Sequence, residues 1–347
     1  MFNSYPPLYP YSDFNFKEIK NLNNIMFFAS ARDALFLIIQ TLKESYKNLI
    51  FLIPAYTCHS VIESLERAKV NYNFIDLDES LDFNLNDLNY MLNKYFNKKV
   101  ILIPTSLFGI RIRDYKKLYN DIIIIEDLAQ STFNYKSKAE FQFVSFGRGK
   151  LISAWNGGGV ISNNLLFRKK YNQLNRNIKD NFLKSYFLSN IQKIISKYFW
   201  FFIENSFLNP ENVNIKKIEI ELKINDNKIL KLSNKKINWI LHSIKNVNLK
   251  HRKELSNYYL NKISTKYLFN LNRNNNTIYL RFPVKKIIKK SGVSFMKDYR
   301  FTYEKAKELR DRELKIAKQL AYETSFLPTH NLITLNYVKK LVDLLNE

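Results

Sequence analysis

Between residues 31 and 46 apolar positions recur at helical spacing, with Leu35, Ile38, Ile39 and Leu42 on one face. The next run, Leu49-Ile-Phe-Leu-Ile53, is apolar throughout, as expected of a strand buried on both faces. The alternation continues: helical patterns at 61–68, at 85–93 and near Tyr115 separate strand patterns at 72–75, 100–103 and 122–125. This βαβα order predicts an α/β fold with a mostly parallel central sheet covered by helices. Its crossovers should be right-handed, and ligands should sit at the carboxyl ends of the strands. Past residue 165 the pattern becomes mainly helical. It holds an aromatic and basic segment at 182–203, one long helix at 232–263, a strand at 278–283, and helices at 303–321 and 335–345. The expected layout is a large α/β domain over residues 1–245 and a smaller C-terminal α+β domain over 246–347.

Composition narrows the class. The chain has 347 residues, 46% hydrophobic and 25% charged, which is ordinary for a globular protein with a sizeable core. The single cysteine, Cys58, excludes an intramolecular disulfide. The four histidines are scattered and have no cysteines grouped with them, which argues against a dedicated metal site. The segment MFNSYPPLYPYSDF lacks the basic and apolar regions of a signal peptide, and no uncharged apolar run has the roughly 20 residues that span a bilayer. A cytoplasmic protein is expected. The net charge of +24 comes from lysines spread along the whole chain, without a basic motif, so it points to anionic substrates such as phosphates and not to nucleic acid. The apolar run at 197–203 reads as core or dimer interface, with a membrane-surface helix as the alternative.

Glycine use is uneven. An average protein carries about 7% glycine, yet this chain has seven, five of them between Gly147 and Gly159. Glycine is needed where φ is positive or where another group approaches the backbone closely. Lys150 is the lysine inside this cluster, and it is either a candidate nucleophile or a surface lysine between tight turns. A lysine becomes nucleophilic only if desolvation or nearby positive charge lowers its pKa.

Three further features fall at element ends. Ser30-Ala-Arg-Asp33 opens the first helix as a capping box, and the same geometry would receive a phosphate. Pro54-Ala-Tyr-Thr-Cys-His59 follows the first buried strand, and Glu126-Asp-Leu-Ala-Gln130 follows another. Acids in such a place are often helix caps, but a carboxylate there is also set to hold a cationic ring nitrogen. Phosphate cup, ring wall, carboxylate and lysine together are the equipment for pyridoxal 5'-phosphate (PLP).

In these motifs the chain resembles the DegT/StrS-type sugar aminotransferases, a PLP-dependent family of fold type I. FFASARDALFLIIQTL is similar to the family's first helix and phosphate loop, and FLIPAYTCHSVIESLERAKVNYNFIDLDESLDFNLNDL to the next β-α-β unit. ILIPTSLFG and IIEDLAQST resemble the two strand ends that follow, and VSFGRGKLISAWNGGGVISNN the lysine segment. The resemblance implies that Lys150 is the catalytic, Schiff-base residue. It implies that Asp127 bonds the pyridinium nitrogen and Gln130 the ring hydroxyl. Ser145 and the backbone of Ala31 and Arg32 would hold the phosphate. Cys58 stands where the family has an aromatic side chain over the ring, and Tyr56 and His59 are alternatives for that wall. Gly147 and Asn156 replace the family's His and Glu, and the partner-subunit loop is not recognisable at 223–232.

The implied reaction moves an amino group, from glutamate as the expected donor, to a keto group of a nucleotide-activated sugar. The implied setting is a homodimer and amino-sugar synthesis for surface polysaccharide. A cyclitol or other small ketone as acceptor, and a non-catalytic scaffold relative, are the other readings. Family members that dehydrate sugars replace the lysine, so Lys150 argues against that chemistry.

Overall fold

A computed structural model describes residues 24–131, 137–147, 149–154, 156–176, 229–245, 249–271, 277–290, 297–330 and 333–347, with isolated positions between them. The segment at 197–203 and most of 223–232 lie outside the described residues.

The first part of the chain runs β1 (Met26–Phe28), α1 (Ala31–Ser45), β2 (Leu49–Pro54), α2 (His59–Arg67), β3 (Tyr72–Ile75), α3 (Leu85–Lys94), β4 (Lys99–Leu102), α4 (Tyr115–Leu118) and β5 (Ile123–Asp127). It continues with β6 (Phe141–Ser145), β7 (Gly158–Ile161) and α5 (Leu165–Gln173). These strands form one sheet in the order β1-β7-β6-β5-β4-β2-β3. Five neighbours, β6 through β3, are parallel, and β7 is antiparallel to both β6 and β1. The expected mostly parallel α/β sheet is therefore present.

Side chains alternate across a strand, and the core divides accordingly. Phe51 and Ile53 of β2, Ile101 of β4, and Ile123 and Ile125 of β5 join one apolar cluster with α1 and α2. Ile50, Leu52, Val100, Leu102 and Ile124 join a second cluster on the other face. The same period places Asp127 on the α1 face and Glu126 on the opposite one. Helix α1 starts where the Ser30 hydroxyl accepts from the Asp33 N–H at 3.0 Å, and it buries Ala34 to Ile39.

The later part of the chain contains α6 (Asn234–Lys245), α7 (Lys250–Lys262), β8 (Arg281–Val284), α8 (Lys297–Leu309), α9 (Lys315–Tyr322), β9 (Ser325–Pro328) and α10 (Leu335–Asn346). Strands β8 and β9 form an antiparallel pair, with Arg281 opposite Pro328. Phe282, Val284, Phe326 and Leu327 continue the cluster on the α1 face.

Several elements differ from expectation. The helix expected at 232–263 is two, α6 and α7, and Leu249 lies outside both, buried against Leu151 and Leu280. The helix expected at 303–321 is also two. Arg310 turns inward to an ion pair with Asp87, and the Asp76 carboxylate accepts from the N–H groups of Ile316 (3.2 Å) and Ala317 (2.9 Å), which starts α9 afresh. Strand β5 runs on through Asp127, so the two acids end the strand and do not follow it. Strands β1, β6, β7 and β9 and helix α5 add to the expected set.

Candidate active site

The carboxyl ends of β2, β4, β5 and β6 meet where the sequence motifs converge. Asp127 closes β5 and is 3% exposed. Its Oδ1 accepts from the Ala129 N–H at 2.9 Å, and the Thr105 hydroxyl also bonds its carboxylate. Thr105 in turn lies 3.3 Å from the Thr57 hydroxyl, and the Thr57 carbonyl accepts from Thr302 of α8 at 2.8 Å. Burial pushes the Asp127 carboxyl up to about 6. The Ala129 N–H, the Lys150 charge and the Thr105 hydroxyl pull the other way and do not overcome it.

Lys150 is half-buried in the loop joining β6 to β7. This loop is held internally. The Ser153 hydroxyl donates to the Gly147 carbonyl at 2.9 Å, and the Ala154 N–H to the Phe146 carbonyl at 2.9 Å. The next residue, Leu151, packs against Leu249 and Leu280. Buried Lys236 of α6 donates to the Asn156 side chain, which fixes the far end of the loop. Lys150 and Asp127, 23 positions apart in sequence (150 − 127), thus share one site in which the ammonium acts on the carboxyl.

Ser145 ends β6, and its Oγ accepts from the Gly147 N–H at 3.2 Å. Strand register puts Ser145 opposite Gly158. A Cβ on Gly158 would lie 2.7 Å from the Ala31 nitrogen and 2.8 Å from the Ser30 carbonyl oxygen. Only glycine lets β7 abut the N-terminus of α1 this closely. Ser145 and the first N–H groups of α1, those of Ala31 and Arg32, therefore flank one place, and those N–H groups have no acceptor within the helix. The Arg32 side chain points elsewhere. It is 52% exposed and forms an ion pair with Glu63 at 2.7 Å.

Gln130 is 2% exposed. Its Oε1 accepts from the Phe108 N–H at 3.2 Å, and its Nε2 donates to the Tyr299 hydroxyl at 2.6 Å. Cys58 is half-buried at the start of α2, accepts from the Ser60 hydroxyl at 3.2 Å and lies within electrostatic reach of Arg32. The Tyr56 ring is fully buried, 5.2 Å from that of Tyr299, while His59 is half-buried as the first residue of α2. Thr57 and Thr105 lie within the strand-end motifs without a role of their own there, and Tyr299 lies outside every motif. The two threonines follow buried strands, as the chosen motifs do. Tyr299 carries no local signal, because only the tertiary fold brings α8 here.

The residues fit PLP. The N-terminus of α1, with N–H groups that have no acceptor within the helix, packs against β7 opposite Ser145, and a buried carboxylate stands near a lysine.

The sequence matches no family model and no curated protein. Its fold, however, is known. The sugar aminotransferase CalS13 from Micromonospora echinospora superposes with a TM-score of 0.65 at 12% identity, over 93% of this chain and 87% of that one. GDP-4-keto-6-deoxy-D-mannose-3-dehydratase of E. coli, solved with bound hydrated PLP, gives 0.64 at 15% identity, over 95% and 90%. A DegT/DnrJ/EryC1/StrS aminotransferase from Brucella abortus gives 0.58 at 14% identity, over 92% and 84%. This chain has the fold of the PLP-dependent DegT/StrS-type aminotransferases.

Proposed function

We propose that the protein is a PLP-dependent aminotransferase that takes an amino group from an amino-acid donor, glutamate in our reading, and gives it to a keto group of a nucleotide-activated sugar. The observation that carries this is the Lys150–Asp127 pair, set by the loop after β6 and the end of β5. When bound, PLP supplies an electron sink for bonds at the substrate carbon.

The chain's own groups divide the remaining work. Ser145 and the N–H groups of Ala31 and Arg32 bind the phosphate. Asp127, desolvated, favours a cationic partner and so keeps a proton on the ring nitrogen. Lys150 Nζ would hold the cofactor and would carry the proton at the substrate carbon. Gln130 would meet the ring hydroxyl with the donor capacity that Tyr299 leaves, and Cys58, Tyr56 or His59 would supply the ring wall. The neighbours in fold that act on GDP-linked sugars support a nucleotide sugar as acceptor. A homodimer in the cytoplasm and the division into residues 1–245 and 246–347 belong to the same reading. Light scattering and limited proteolysis test the dimer and the division.

The decisive experiment is the visible spectrum of the purified protein with PLP, followed by borohydride reduction and peptide mapping. A yellow protein whose reduced cofactor maps to Lys150, and which bleaches with glutamate before reduction, is expected. A colourless protein with no adduct at Lys150 would overturn the reading and leave a scaffold protein with an enzyme's fold.

A further inference from the structure

Thr105 and Asp127 are register partners where the chain leaves β4 and β5, which run parallel. The Asp127 N–H donates to the Pro104 carbonyl at 2.9 Å, and the Ser106 N–H donates to the Asp127 carbonyl at 2.8 Å, so the main chain clamps the two residues together. Register partners on paired strands point their side chains to the same face. The Thr105 hydroxyl therefore stands beside the Asp127 carboxylate and bonds it. Thr57 follows β2, and β4 runs between β2 and β5, so Thr105 stands between Thr57 and Asp127. The Thr57 and Thr105 hydroxyls are 3.3 Å apart. Thr57 is fully buried and Thr105 is 5% exposed, so the three polar groups depend on one another for hydrogen bonds.

Distance alone leaves the direction of the Thr57–Thr105 bond open. The carboxylate fixes it. Ionised Asp127 carries no hydrogen, so Thr105 must donate to it. The Thr105 hydroxyl has one hydrogen, and with that one spent its oxygen accepts from Thr57. The Thr57 carbonyl in turn accepts from the buried Thr302 hydroxyl of α8 at 2.8 Å. Two donors are thus aimed in series at one carboxylate, and α8 fixes the main chain at the start of the series. In dry surroundings each bond of such a series strengthens the next.

We propose that Thr57 and Thr105 are positioning residues for Asp127, a one-way pair of hydroxyls that holds its carboxylate ionised and oriented for a cationic ring nitrogen. That a ring nitrogen is the group Asp127 meets rests on the aminotransferase reading. Neither threonine acts on a reacting atom; both act through Asp127.

The test uses the full chain and reads the Asp127 titration first without PLP. Urea stability is followed against pH for each protein and for the same protein carrying Asp127→Asn, and the difference marks where Asp127 ionises. The charge that acts on this carboxyl is that of Lys150, which every variant retains. Thr105→Val removes a donor to the ionised form, so the Asp127 transition should move up by about one pH unit or more. Thr105→Ser should restore it. Thr57→Val should move it the same way by less, and by nothing in a Thr105→Val background. Equilibrium dialysis should then show PLP affinity falling about tenfold in Thr105→Val and recovering in Thr105→Ser. Circular dichroism identifies a variant that fails to fold, and Thr105→Ala then replaces Thr105→Val. An unmoved transition in a folded variant, or a Thr105→Ser protein that behaves like Thr105→Val, would overturn the pair. So would an effect of Thr57→Val that persists without the Thr105 hydroxyl. A moved transition with unchanged PLP affinity, in a protein whose cofactor maps to Lys150, would overturn its role toward the ring. A protein that takes no PLP would remove the aminotransferase reading, while the PLP-free titration still decides whether the hydroxyls set Asp127.

Discussion

Gln130 and Tyr299, 169 residues apart, share a buried 2.6 Å hydrogen bond, and the Gln130 carbonyl oxygen takes the Phe108 N–H on the other side. This one side chain ties the end of β5 to α8 and to the loop before α4. Tyr299→Phe leaves a buried amide N–H without its acceptor, at a cost of about 1–3 kcal/mol. Urea denaturation measures the loss. A double-mutant cycle with Gln130→Leu should then return a coupling above about 0.5 kcal/mol, because the second change removes the group left unsatisfied. Additive effects would mean that the two side chains act independently.

The close approach of β7 to α1 makes Gly158 intolerant of any side chain. Its Cβ would meet only backbone, with the Ala31 Cα at 2.6 Å, so no side chain can rotate away to make room. Gly158→Ala should therefore destabilise by about 2 kcal/mol or more. It should also weaken PLP retention by moving α1 away from Ser145. Chemical denaturation and equilibrium dialysis with PLP measure the two effects separately. Loss of stability with unchanged retention would place the phosphate elsewhere.

Ser30 sets the start of the same helix from the other side. Ser30→Ala removes the acceptor for the Asp33 N–H and should cost about 1 kcal/mol. Ser30→Gly should cost only a few tenths, since glycine still accepts the cap geometry. Thermal melts of the two variants check the order.

The sequence shows the architecture of the first half well because its signals are local there. β2 is apolar at every position, and Ser30 and Asp33 mark the start of α1. The alternation of strand and helix then implies the parallel sheet. Asp127, Ser145 and the α1 N-terminus lie at element ends, where such local signals point, and Lys150 lies in the glycine-rich loop between β6 and β7. Strand β6 carries Gln142 and Ser145, and β9 opens on Ser325, so neither shows the unbroken apolar run that marks β2. The break in the pattern at 303–321 has a tertiary cause that local sequence does not carry: Arg310 reaches back to Asp87. Tyr299 looks like an ordinary helix residue in sequence, and only the fold brings it against Gln130 and Tyr56.

The adjacent acids of β5 make stability depend on pH in a definite direction. Burial lifts Asp127 from 3.8 to about 6 and Glu126 from 4.5 to about 7. Each folded pKa is above its unfolded value, so between those values the folded chain holds a proton that the unfolded chain has lost. Stability of the PLP-free protein must then fall as pH rises from about 4 to about 7. At about 1.4 kcal/mol per pH unit, Asp127 alone accounts for about 3 kcal/mol of that fall. Asp127→Asn should flatten the lower part of the window, and Glu126→Gln the upper part, leaving each variant more stable than the parent at pH 8. Urea denaturation in a pH series reads both. Added PLP should remove the Asp127 contribution and leave that of Glu126, because a cationic ring nitrogen would favour ionised Asp127, while Glu126 faces the other side of the sheet. A slope at Asp127 that survives saturating PLP would separate this carboxylate from the cofactor ring.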